Sequence, residues 1–421
     1  MPLAPAHPQS SRPEPPPGQA RPPVGKPAWW ERPGLGYDVG GLRLGPATLA
    51  ALAEREGTPL YVYDSARVLD NLARLRAALA AAVPNGRVFY AMKANRHPLL
   101  LRKLRTRGRC GVDVCSPGEL LLARDMGFRE RDISYTGTSM SAADATVLAA
   151  HPQIVINCDS RSALRRIATV APGRAVGLRI NPALGIGYRQ NPRLTYAGGG
   201  GTKFGIPWAD VPAAVAEAKA LGLKFDGIHF HAGCGWLTPQ LPLLDRILGR
   251  MARVVAALGP LRYVNIGGGL GIPLVKGDRP LDLAAWARVV AKHFGSAAHE
   301  VWMEPGDYLV KDSGVLLLEV TEVEEKAGVR YVGVNGGFNL HPEPVFYSLP
   351  LEPVPLQPRA GGRRKVTLAG NINEAHDVWS RDVRLPVPEP GDGLGFLNAG
   401  GYGAAMASDH CRRGEWREVV V

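Results

Sequence analysis

Four kinds of group in this chain could act together on a carbonyl compound: an amine, an imidazole, a turn of bare backbone amides and a carboxylate. Lys93 follows the apolar, β-forming run Val88-Phe89-Tyr90-Ala91-Met92. A short run of this kind reads as a buried strand. A lysine at its end is costly unless it is paired or chemically used. Desolvation would lower its pKa and free its amine as a nucleophile. The plainer reading is a lysine whose stem follows the strand end while its ammonium reaches water. His231 ends a second run, Gly267-Gly268-Gly269 follows a third, and Glu304 ends a fourth. Each is weak alone, because a single histidine is more often a satisfied core residue and glycines serve tight turns in any protein.

The elements that must position these groups follow a rhythm. Strand-like runs fall at 88–91, 111–115, 133–136, 154–157, 175–181, 227–231, 263–266 and 301–304. Helix-like segments at 98–107, 117–126, 142–150, 161–170, 208–221, 239–258 and 281–294 lie between them. Pro117 and Pro207 sit near helix starts, where a missing donor costs little. Eight strands alternating with helices predict a closed (β/α)8 TIM barrel, with an open doubly wound sheet as the alternative. Reactive residues of a barrel lie at the C-terminal ends of its strands. That rule gathers Lys93, His231, the glycine turn and Glu304 around one mouth. There Lys93 could form a Schiff base with an aldehyde, and Glu304 could keep a pyridine nitrogen protonated. His231 could lie against the ring, and the glycine amides could take a phosphate. This set specifies pyridoxal 5'-phosphate better than any other common cofactor. His229 and His231 alternate and are read as facing opposite sides of the strand, which leaves no metal-ligating pair.

Beyond Glu304 the pattern changes to strand-like runs at 315–324, 331–334, 364–369 and 416–421, with little helix, which predicts a C-terminal β domain. The expected division is a Pro-rich disordered tail over 1–35, with Trp29 and Trp30 near its end. A segment over 36–64, helical in part and carrying a strand at 59–63, packs with the β domain. The barrel spans 65–310 and the β domain 311–421. A chain of 421 residues suits two domains. The net charge of +12 is mostly arginine and dispersed, densest at 102–109, which reads as a solvated helix face and not as a nucleic-acid surface. Five unevenly spaced cysteines argue against a disulfide scaffold. No apolar run would span a bilayer, and the first residues lack the apolar stretch of a signal peptide. The expectation is a reduced, cytoplasmic protein without nucleic-acid or membrane partners.

The motifs resemble those of the fold-type III pyridoxal-phosphate decarboxylases, whose barrel is alanine-racemase-like, and within them the diaminopimelate decarboxylases. The resemblance runs from about Gly57 to the C-terminus. It rests on Gly57-Thr58-Pro59-Leu60-Tyr61-Val62-Tyr63, Tyr90-Ala91-Met92-Lys93-Ala94-Asn95, Ser116-Pro117-Gly118-Glu119-Leu120 and Lys203-Phe204-Gly205. It continues through His229-Phe230-His231-Ala232-Gly233, Asn265-Ile266-Gly267-Gly268-Gly269, Glu304-Pro305-Gly306 and Gly400-Gly401-Tyr402-Gly403-Ala404-Ala405-Met406. The likeness implies that Lys93 carries the cofactor, His231 stacks on its ring and Glu304 pairs with the pyridinium. It implies that Gly267, Gly268, Gly269 and Tyr402 meet the phosphate, with Cys234 where a phosphate-side serine is common. It further implies a head-to-tail homodimer whose sites are completed by the partner subunit.

The departures bear on the substrate. Asp307 stands where the family commonly follows Glu-Pro-Gly with arginine. Glu343 aligns with a second arginine, and Tyr347 with a tyrosine near it. In the family those arginines help hold a distal carboxylate, so two acids should repel one and favour a cation. In Gly370-Asn371-Ile372-Asn373-Glu374-Ala375-His376-Asp377, Asn373 replaces a proton-donating cysteine that the second subunit supplies. Glu374 matches the family's glutamate and could hold an amine, and Asp377 matches its aspartate. His376 or a water could act in place of the cysteine. Asn373, Glu374 and Asp377 thus join Asp307, Glu343 and Tyr347 as expected substrate residues, with Glu374 also counted as catalytic beside Lys93, His231 and Glu304. The expected activity is decarboxylation of lysine, ornithine or arginine, of either configuration. The alternatives are meso-diaminopimelate decarboxylation in lysine synthesis, and a modified amino acid of a natural-product or siderophore pathway. A non-catalytic pyridoxal-phosphate binder ranks below these, as does a racemase, which Glu304 and the β domain disfavour.

Overall fold

Short apolar runs and capped helices alternate to build the barrel seen in the computed structural model, which describes residues 27–191, 194–195, 197–198, 201–359 and 361–421. Its strands are Gly86–Ala91, Gly111–Val114, Ile133–Tyr135, Val155–Cys158, Ala175–Asn181, Lys224–Phe230, Tyr263–Asn265 and Glu300–Met303. All pair in parallel, and pairing of the eighth with the first and of the fourth with the fifth closes the ring. A short strand, Ile206–Pro207, attaches beside the fifth. The capping residues explain the helix starts. Ser116 accepts from the Glu119 N–H ahead of Pro117–Asp125, and Ser141 and Asp144 form a reciprocal capping box. The helix Ser65–Ala82 is absent from the sequence reading, yet Asp64 caps it and Val68, Leu72, Leu75 and Leu79 recur along its buried face.

The bottom of the barrel is closed by aromatic rings. Tyr263 stacks on Trp302 with centroids 3.9 Å apart, and Phe89 lies 4.8 Å from Trp302. The Tyr263 hydroxyl donates to Asn157 at 2.6 Å. This leaves no room beside Gly177, where a β-carbon would sit 2.1 Å from the Tyr263 hydroxyl oxygen.

After the barrel, the strand Gly314–Lys326 organises the second unit. It pairs antiparallel with Val329–Val334, Gly393–Leu397 and Leu60–Tyr63. The last strand, Arg417–Val420, runs parallel to Leu60–Tyr63, so the strand that precedes the barrel and the chain's last strand lie side by side. Strands Pro353–Pro355, Val378–Pro386 and Gly393–Leu397 were not read from the sequence; in the first and third, proline and glycine hide the alternation. One apolar cluster runs from barrel residues such as Val112 and Leu178 into Leu316, Leu318, Val320 and Phe396. Most of the expected disordered tail lies outside the described residues, but its end is folded. Trp30 is buried with its ring 5.8 Å from Tyr37, and Leu35–Asp38 is a strand. Among the described residues no helix is long and apolar enough to cross a membrane.

Gly177→Ala should destabilise the protein by about 1–3 kcal/mol through overpacking. A lowered urea midpoint at unchanged slope is the expected result, and an unchanged midpoint would contradict the packing at the barrel floor.

Candidate active site

An open cavity lies over the C-terminal ends of the strands. Lys93 faces it from a single 3-10 turn, Met92–Ala94, just beyond the first strand. The strand stops at Ala91, so Lys93 is exposed to the cavity while Met92 and Ala94 are buried, which corrects the expectation of a buried lysine. The turn is anchored on both sides. The Tyr90 hydroxyl donates to the Asn95 carbonyl at 2.7 Å, Asn95 Nδ2 donates to the Gly400 carbonyl at 2.9 Å, and the Tyr402 N–H donates to the Ala94 carbonyl at 2.8 Å.

Glu304 is buried just past the eighth strand and surrounded by donors from neighbouring strands. His229 Nε2 lies 2.8 Å from Oε2, Asn265 Nδ2 2.5 Å from Oε1, and Ser134 Oγ 3.4 Å from Oε1. Burial pushes this carboxyl up, but His229 and Asn265 outweigh it and bring the pKa down to about 2. Asp113 also lines the cavity, and its pKa is driven well above the usual range by burial and then by the nearby Glu304 charge. Of these two neighbours, Glu304 is held in its charged form and Asp113 is pushed toward its neutral one. His231 accepts from the Gly268 N–H at Nδ1, 3.3 Å away. Burial, then Lys93 and Arg179, lower its pKa well below that of a free imidazole, so the ring is neutral.

His229 corrects the sequence reading. Residues two apart on a strand share a face, and both His229 and His231 line the cavity. The spacing alone carried that signal. Among the described residues no cluster of three or more His, Cys, Asp or Glu side chains could hold a metal.

On another wall Asp307, Glu343 and Tyr347 come together as anticipated by their alignment, beside Tyr188 and Leu349. Glu343 and Asp307 are buried, 2 % and 7 % exposed. The Tyr188 hydroxyl donates to Asp307 Oδ2, and Lys311 Nζ lies 3.3 Å from Asp307 Oδ1 and 2.6 Å from Glu343 Oε1. Burial raises the Asp307 pKa against the pull of Lys311, whereas at Glu343 burial is outweighed by Lys311 and His341, and the pKa falls. Sequence reasoning missed Lys311, Tyr188 and Arg179. Lys311 follows the apolar Leu309-Val310, the same costly placement that drew attention to Lys93.

Gly269, Cys234 and Tyr402 also line the cavity, while Gly267 and Gly268 stand just behind its wall. The Cys234 thiol donates to the Leu194 carbonyl at 2.9 Å, and burial pushes its pKa up, so it is a packed group and not a free donor. Three expected substrate residues lie outside this chain's cavity. Asn373 and Glu374 are exposed on the loop 370–377, with Glu374 3.4 Å from His410 Nε2. Asp377 is buried below that loop, where its oxygens accept from the Phe338 N–H at 2.9 Å and the Ile372 N–H at 2.8 Å. It holds the loop's shape and offers no oxygen to the cavity. His376 stacks on Phe338 with centroids 4.9 Å apart, also away from the cavity.

The donor set fits pyridoxal phosphate. It offers an amine in the open, a carboxylate kept ionised beside it, a neutral imidazole and a backbone turn stripped of side chains. The turn admits no substituent, since a β-carbon would lie 2.1 Å from the Glu304 carbonyl at Gly268 and 1.9 Å from the Gly233 carbonyl at Gly269.

Comparison with known proteins agrees. Residues 69–311 match the family described as pyridoxal-dependent decarboxylase, pyridoxal binding domain. Diaminopimelate decarboxylase of Methanothermobacter thermautotrophicus is 35 % identical over 396 residues, 91 % of each chain. The structure of diaminopimelate decarboxylase from M. jannaschii in complex with L-lysine superimposes with a TM-score of 0.83, 26 % identity and 92 % coverage of each chain. Lysine decarboxylase from Selenomonas ruminantium shares the fold, with a TM-score of 0.77 at 24 % identity over 90 % of this chain and 97 % of that one.

Replacing His229 by Phe removes a donor from a buried anion. The apoprotein should lose about 2–3 kcal/mol at neutral pH. Because the folded pKa of Glu304 is depressed from 4.5 to about 2, its stabilisation is present above 4.5 and lost as pH falls through about 2. Denaturant midpoints of wild type and variant should therefore converge across that window; a gap that stays constant would show that the pair does not hold the charge.

Proposed function

This chain belongs to the pyridoxal-dependent decarboxylases, and from that premise we propose that it removes carbon dioxide from an amino acid with a basic side chain. It is a pyridoxal-phosphate-dependent carboxy-lyase of amino-acid metabolism. The observation that carries the substrate is the cavity wall made by Asp307 and Glu343. A distal ammonium or guanidinium is attracted there and a distal carboxylate is repelled.

Lys93 would hold the cofactor through its amine, Glu304 its ring nitrogen, His231 its ring face, and the backbone at Gly269 with the Tyr402 hydroxyl its phosphate. Pyridoxal phosphate, when bound, supplies the electron sink that takes up the pair left by departing carbon dioxide. The chain's own residues set the conditions for that chemistry. Glu304 stays ionised because His229 and Asn265 donate to it, so it would keep a proton on the ring nitrogen of a bound cofactor. Burial and the Glu304 charge push Asp113 toward its neutral form, which limits the negative charge beside Glu304. His231, neutral, would cover the ring without repelling a proton there. Asp307 and Glu343 orient the far end of the substrate.

We further propose a homodimer in which loop 370–377 of a second copy reaches the mouth. Asn373 and Glu374 are exposed and outside their own cavity, and the exposed apolar Phe346 (58 %) and Met406 (38 %) flank this region. Glu374 is the expected amine ligand of that loop.

The relatives' names favour a second reading, meso-diaminopimelate as substrate. It would need a cation for the distal carboxylate. The cations lining the cavity among the described residues are Lys93, assigned to the cofactor, and Arg179, which lies 3.6 Å from Asp159.

Steady-state turnover of lysine, ornithine and arginine in both configurations, against meso-diaminopimelate, tests the substrate. At least one basic amino acid should be preferred in kcat/KM, and turnover of meso-diaminopimelate alone would sink the proposal. Lys93→Ala should abolish activity and the absorbance of lysine-linked cofactor. Mixed with an inactive Glu374→Gln variant, it should regain activity through hybrid dimers. No recovery in mixtures shown by mass to contain hybrids would refute a shared site.

A further inference from the structure

Lys311 is 1 % exposed and lies behind the cavity wall, whereas the two carboxylates it touches face the cavity. Its Nζ is 2.6 Å from Glu343 Oε1 and 3.3 Å from Asp307 Oδ1. The rings of Tyr188 and Tyr402 flank it, with centroids 5.7 and 5.6 Å from Nζ. Asp307 precedes Lys311 by one helical turn, in Asp307–Val310 and the 3-10 turn Lys311–Ser313, and Glu343 arrives from the β domain. The outer bonds are also filled. Tyr188 donates to Asp307, His341 Nε2 lies 3.3 Å from Glu343 Oε2, and the Tyr61 hydroxyl lies 3.1 Å from His341 Nδ1.

Two adjacent buried carboxylates do not both stay ionised without a cation. An ammonium fixed behind them balances one charge and leaves the other. We propose that Lys311 is a specificity-determining residue that makes this wall a single net negative charge. Such a wall takes a substrate with one distal cation and no second carboxylate. The inference rests on the basic-substrate reading above and deepens it, since recognition depends on the net charge of three residues and not on Asp307 or Glu343 singly.

The test is calorimetric binding of cadaverine to the holoenzyme. Wild type should bind it about 100-fold more tightly than n-pentylamine, which lacks the distal cation; equal affinities would overturn the proposal without any variant. Asp307→Asn makes the wall neutral and should lower cadaverine affinity about 100-fold. Adding Lys311→Met leaves Glu343 as one uncompensated charge. The double variant should therefore bind at least about tenfold more tightly than Asp307→Asn alone. A double variant no better than the single one would overturn the charge count, and so would one that is weaker. If this pair does not fold, Glu343→Gln with and without Lys311→Met gives the same comparison. A wild type that decarboxylates only meso-diaminopimelate would defeat the functional reading itself. One that decarboxylates basic amino acids but shows no recovery would defeat this inference alone.

Discussion

Glu304 is an anion in a place where anions are unstable, and the mouth of the barrel is arranged around that fact. A carboxylate removed from water is tolerated only with several donors aimed at it. His229 and Asn265 supply them from the adjacent sixth and seventh strands. Their alignment follows from the parallel register, in which His229 lies opposite Asn265 and Asn265 opposite Trp302. The closed ring thus does more than gather strand ends. It fixes the charge state of the group expected to control a cofactor's ring nitrogen.

A second buried charge cluster stitches the barrel to the β domain. Asp307 and Lys311 leave the barrel on one short helical turn, and Glu343, His341 and Tyr402 come from the second unit. The site exists only where the two units meet. The continuous apolar cluster and the pairing of Leu60–Tyr63 with both Gly314–Lys326 and Arg417–Val420 make that junction part of the core and not a hinge between separate bodies.

Relatives at 35 % and 30 % identity carry the same enzyme name, and the cavity wall at Asp307 and Glu343 is acidic here. The two facts concern different parts of the protein. The barrel mouth answers to the cofactor, whose chemistry is common to the family. The seam carries Asp307 and Glu343, and charge changes at such a lining can alter selectivity without touching the fold.

Lys93, His231, Glu304 and the glycine turn were legible in the sequence because each ends or follows a strand, and strands announce themselves by short apolar runs. The barrel was legible for the same reason. The resemblance to the family marked Asp307 and Glu343 as departures. It could not show that Lys311 stands behind them, because that contact joins residues 32 apart across two units. Nor could it show that Asp377 braces its loop by accepting from the Phe338 and Ile372 N–H groups. His229 was within reach of the two-residue period and was misread. The sequence by itself determined which groups are present and which strand ends carry them. Only the tertiary structure decided which charges are ionised, paired or exposed, since those depend on burial and on partners that fold in from distant parts of the chain.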